Sequence, residues 1–113
     1  EKSLGKPKEK YRSKNYEFEA YKYVGIEIEY SIKTKNILYI VVERKGLKTF
    51  RGISVGDKEA NVIYRYGKTE KLNGEDLNYQ MYVSRDNLDY NYSLNFTIKD
   101  KKVAKIIVYF AGD

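Results

Sequence analysis

Glu27 and Glu29 come nearer to a catalytic pair than any other residues of this chain. They alternate along the run Ile26-Glu-Ile-Glu-Tyr30, so on a strand they share one face about 7 Å apart, set by the rise per residue. Carboxylates at that separation can cleave glycosidic bonds. Alternating glutamates are also what the solvent side of any half-buried strand looks like, and that reading prevails. The chain has no histidine, which removes the commonest general base and the imidazole metal ligand. It has no cysteine, which removes disulfides, thiol nucleophiles and thiolate metal sites together. No serine stands in a nucleophile elbow. Gly52-x-x-x-Gly56 lacks the Lys-Ser/Thr that would complete a phosphate loop. Asp86, Asn87, Asp89 and Asn91 offer oxygen to Ca²⁺, but not at EF-hand spacing, and Asp and Asn are ordinary turn residues. The expectation is a protein that is not an enzyme, with no catalytic residue, no cofactor and no metal ligand.

The thirteen tyrosines point instead to contact. So small a core cannot bury them all. On a surface, tyrosine combines wide apolar area and a hydroxyl with little entropy to lose. Tyr39 and Tyr82 fall on the off-face positions of their strands and are the candidate binding residues, for a protein or a wall polymer. Two other readings stay open: that such tyrosines merely cover a sheet edge, and that edge strands pair two copies of the chain.

These side chains need a sheet to carry them. Ile26, Ile28, Tyr30 and Ile32 alternate with Glu27, Glu29 and Ser31, the period of a half-buried strand. A polar turn over 33–36 leads into Ile37-Leu-Tyr-Ile-Val-Val42. Tyr79, Met81 and Val83 mark a further strand, and Tyr92, Leu94, Phe96 and Ile98 another. Asp100-Lys-Lys102 turns the chain into the last strand, Val103 to Phe110. Tyr16, Phe18 and Ala20 suggest one more near the start. The step from Val103 to Ile106 breaks alternation and predicts a bulge or bend. Between the two blocks of strand, Asp57 is a candidate N-cap, Glu59 suits the first turn, and Val62, Ile63 and Tyr66 share a helical face. Gly67 stands where a helix stops. The two hairpins match at an offset of 66 residues, Ile28, Tyr30, Ile32, Ile37, Ile40 and Val42 answering to Leu94, Phe96, Ile98, Val103, Ile106 and Val108. Either they form a true repeat or they are two hairpins alike for general reasons.

The expected fold is therefore α+β: one antiparallel sheet of about five or six strands with a single short helix, about 58–66, packed on one face. The order of strand hairpin, then Gly52, Gly56, Asp57, Val62, Tyr66 and Gly67, then Phe96 and Val103-x-x-Ile106, resembles small bacterial secreted or lipid-anchored domains. Those domains are similar to one half of the β-lactamase-inhibitor protein and to small outer-membrane assembly lipoproteins. The resemblance spans about residues 25–110. It implies a domain that binds protein on a sheet face, and carries over no catalytic or ligand-binding residue.

Length fits one core, with no second domain needed. Residues 1–14 differ from the body: six cations against two anions leave them +4 of the chain's +6. They read as a flexible basic arm before a single domain over 15–113. Such an arm suits a tether to an anionic surface. The start at Glu1 reads as a mature or trimmed form. A cell-envelope lipoprotein follows as the expected setting, anchored by lipid at the outer face of the membrane through a segment upstream, or secreted. Nucleic acid is not the expected partner, because the body's charge is nearly balanced and no recognition pattern occurs; a nucleic-acid-binding basic module is the alternative reading.

Overall fold

The computed structural model describes residues 7–12, 18–69, 71–85 and 88–110. Among these residues eight strands and one helix follow in order: β1 (Glu9–Arg12), β2 (Phe18–Tyr23), β3 (Ile26–Ser31), β4 (Ile37–Val42), α1 (Glu59–Tyr66), β5 (Lys71–Leu72), β6 (Asp76–Arg85), β7 (Leu88–Lys99) and β8 (Lys102–Phe110). All eight strands join one antiparallel sheet in the order β1-β2-β3-β4-β8-β7-β6-β5. This corrects the expected five or six strands, and the molecule is mostly sheet, so the α+β label fits it poorly.

The physical reason lies in the two edges. β1 is the basic run Glu-Lys-Tyr-Arg, from the stretch expected as a free arm, and β5 is the pair Lys-Leu. Neither is long or apolar enough to show a period of two. Each is recruited by backbone hydrogen bonding to a neighbour. β7 also begins at Leu88, so Asp89 and Asn91 pair with Ser84 and Tyr82 where a polar loop is expected. Asp86 and Asn87 lie outside the described residues, as does the expected strand start at Tyr16.

Two four-strand meanders meet where β4 pairs with β8. Val41 faces Ile107, which stands 66 positions further on, and Ile40 and Val42 face Val108 and Ile106. The matched strands thus pair with each other about a pseudo-twofold axis through Val41 and Ile107. Each hairpin has a break in register that leaves one residue without an opposite number. These are Leu38, between Tyr39 and Ile37, and Ala104, between Lys105 and Val103, again 66 apart. The bulge expected between Val103 and Ile106 is therefore present. The first strands depart from the expected offset of 66: Tyr30 answers to Ile98, not Phe96, at an offset of 68, because the first turn is two residues longer.

The helix breaks the symmetry. It packs Val62, Ile63 and Tyr66 onto β6, β7 and β8, where Leu77, Leu94, Phe96, Ile98 and Ile106 are buried. Gly67 ends it at φ 99°, its N–H bonded to Ile63 O at 2.8 Å. At the other end the expected cap fails. Asp57 Oδ2 accepts instead from the Ser54 N–H at 2.9 Å. Gly56 N–H and Asp57 O bond Val103, and Lys101 O takes the Glu59 N–H at 2.9 Å. The β7–β8 turn thus satisfies the helix start that a side chain would otherwise cap.

Candidate functional site

Alternation assigns every strand residue to one of two faces. On the helix side, tyrosines act as structure. Tyr66 stacks against Tyr79 and Phe96 at centroid distances of 5.3 and 5.4 Å, and its hydroxyl donates to Thr49 Oγ1 at 2.8 Å. Arg51 lies over its ring at 4.9 Å, and Tyr79 OH bonds Gly67 O at 2.8 Å. Beyond the helix, over β1 to β3, a polar network covers the same side. Arg12 pairs with Glu19 at 3.0 Å, Tyr30 OH donates to Glu19 Oε1 at 2.5 Å, and Tyr21 and Tyr30 share a hydroxyl contact of 3.0 Å. The Tyr30 hydrogen bond, and then Arg12, hold the Glu19 carboxyl below the usual carboxylate range. The same bond pushes the Tyr30 phenol up. With each group matched to another, this cluster pins strands together.

The helix-free face is different. Tyr39 lies half-buried on β4, its hydroxyl directed at Glu27 Oε2 at 3.4 Å, and its ring meets Tyr109 of β8 at 5.9 Å. From Tyr39 a single row crosses the sheet through Tyr109 and Ser93 to Gln80. Tyr82 follows two residues along β6 and is 64% exposed. The two expected binding residues therefore share one face, three strand spacings or on the order of 15 Å apart. Glu27 and Glu29 point to this face too, but Glu29 is buried, which departs from the expected solvent side. Among the described residues no group of three Asp or Glu side chains is placed to hold a metal ion.

On the side of this row away from Tyr82 lies a cleft of about 380 Å³ that the sequence does not reveal. Asn95 and Thr97 form its floor and are buried although no helix covers this face. Asn78 Nδ2 donates to Asn95 Oδ1 at 3.1 Å, and Gln80 Nε2 to Asn78 Oδ1 at 3.2 Å, so a ladder of amides runs up to the cleft. Around it stand the carboxylates of Glu43, Glu75 and Asp76 and the ammonium groups of Lys99 and Lys105, with Tyr109 on one wall. Asp76 Oδ1 is buried with no hydrogen-bond partner among the described residues. A second hollow, of about 430 Å³, lies between the helix start and the β7–β8 turn. It marks the seam where the two elements dock. Sequence patterning finds Tyr39 and Tyr82 but misses Tyr109, Asp76 and Lys105, because only the pairing of β4 with β8 and of β6 with β7 brings them together.

No family model matches the chain, and no curated protein matches its sequence. Its fold is similar to that of a cysteine-rich secretory protein (SAV1118) from Staphylococcus aureus subsp. aureus Mu50. The TM-score is 0.55 at 12% identity, over 96% of this chain and 41% of that one. The chain spans about two fifths of that neighbour's length. At this identity the likeness concerns fold alone. It does not bear on the resemblance to the β-lactamase-inhibitor-like domains.

Proposed function

We propose that this chain is a non-catalytic contact module of the cell envelope, which holds a protein or wall polymer against its helix-free sheet face. The observation that carries this reading is that Tyr39, Tyr109 and Tyr82 share that face, with Tyr109 46% and Tyr82 64% exposed, while Tyr66 and Tyr79 are committed to the core. Exposed aromatics on a rigid sheet supply contact area at little entropic cost. The lysine-rich first residues favour a position near an anionic surface. A neighbour of similar fold is described as secretory, which agrees with an extracytoplasmic place, either secreted or lipid-anchored.

The test is capture from envelope extract by the immobilised chain, comparing the native protein with Tyr39→Ala/Tyr82→Ala. The expected result is a several-fold loss of the retained component with the fold intact by circular dichroism. Equal capture by both proteins rejects this face as the contact surface.

A further inference from the structure

The cleft beside Tyr109 has a chemistry of its own, and we infer that it binds an uncharged polyhydroxylated glycan chain. The inference rests on the helix-free face being the contact surface and names the ligand class that this face takes. Three carboxylates, of Glu43, Glu75 and Asp76, stand among two ammonium groups, of Lys99 and Lys105. An anionic polymer would meet the carboxylates, and a cationic one the lysines. Like-charge juxtaposition of that kind selects against both. Hydroxyl groups both donate and accept, so a sugar can answer carboxylate and ammonium alike from one ring.

Two further observations agree. Asp76 lines the cleft and its Oδ1 is buried with no hydrogen-bond partner among the described residues, so a turn of this side chain would offer an unmatched acceptor to a hydroxyl or acetamido N–H. Tyr109 lines the cleft and is 46% exposed, with its ring steadied at 5.9 Å by Tyr39. An aromatic face held in this way can receive the C–H face of a sugar ring, while Asn95 and Thr97 supply polar groups below. The volume, about 380 Å³, lies within the range of roughly 300–1,000 Å³ found for ligand sites.

The test titrates ¹⁵N-labelled protein with soluble, peptide-free β-1,4-linked N-acetylhexosamine oligomers. The expected result is amide shifts confined to Asp76, Asn95, Thr97, Lys99, Lys105 and their neighbours. Binding should vary little with salt, because no counterions are released. Asp76→Asn and Tyr109→Ala should each weaken it about tenfold or more, and Tyr64→Ala, on the exposed side of the helix, should leave it unchanged. The inference is overturned by an absence of shifts at millimolar oligomer, by shifts elsewhere, by binding indifferent to both cleft variants, or by a steep fall with salt. If capture from extract still depends on Tyr39 and Tyr82 while the oligomers do not bind, the glycan assignment fails and the contact module stands. If capture ignores both tyrosines, the wider reading fails.

Discussion

Tyr39 and Tyr109 face each other across the β4–β8 junction with ring centroids 5.9 Å apart and planes inclined at 59°. The pair sits next to the pseudo-twofold axis, yet the axis does not relate its members. The 66-residue offset carries Tyr39 onto Lys105 and Glu43 onto Tyr109. The two halves of the sheet are alike in backbone and unlike in chemistry.

A double-mutant cycle on this pair separates stability from binding. Tyr39→Ala and Tyr109→Ala should show a coupling of about 0.5–1 kcal/mol in urea unfolding, the usual size for a cross-strand aromatic pair. Each single alanine variant should stay folded, since neither ring belongs to the buried core. Additive losses would mean that the rings do not support each other.

Phe96 carries more of the fold. It is fully buried and meets Tyr66 and Tyr79 at 5.4 and 6.0 Å. Phe96→Ala should cost about 3–5 kcal/mol, enough to unfold much of the population of a small domain. The check is the denaturation midpoint, with Phe96→Leu expected to recover most of the loss.

Gly25 joins β2 to β3 at φ +75°, and a Cβ built there would lie 2.6 Å from Cβ of Arg44. Gly74 has a similar φ of +78° but open space around it. Gly25→Ala should therefore cost more than Gly74→Ala, whose loss should be near the roughly 1–2 kcal/mol of left-handed strain alone. Equal shifts in melting temperature for the two variants would count against the Arg44 contact.

The Glu19 network predicts a pH dependence with a definite sign. The folded carboxyl is held low by the Tyr30 hydrogen bond and then by Arg12, so its contribution is present above the unfolded-state value. That contribution disappears as pH falls through the folded value. The Tyr30 phenol is shifted the other way, so its contribution is present below the ordinary tyrosine value and is lost in strong alkali. Glu19→Gln should flatten the acid limb of stability against pH, and should also reduce the alkaline dependence by replacing the charged acceptor of Tyr30 with a neutral amide oxygen. An acid limb unchanged by the substitution would place the proton-linked stability elsewhere.

Much of this architecture is legible along the chain. Strong alternation marks β3 and β7, the bulge follows from the step between Val103 and Ile106, and the helix face of Val62, Ile63 and Tyr66 meets the core as expected. Asp57 is the instructive miss. An aspartate before a helix reads as a cap, but its backbone is drawn into bonds with Val103 and its carboxylate turns to Ser54. β1 and β5 escape for a related reason, since edge strands of two to four residues exist only because a partner's backbone is waiting.

Local rules governed what needs only neighbours in sequence: strand alternation, the glycine stop at Gly67, the two hairpins and the placing of Tyr39 and Tyr82 on off-face positions. Tertiary structure decided the rest. The antiparallel union of β4 with β8 sets Tyr39 against Tyr109, and the β6–β7–β8 register gathers Asp76, Asn95, Thr97 and Lys105 around one cleft. Such pairings join residues tens of positions apart, and a period of two says which face a side chain takes without saying which strand lies beside it.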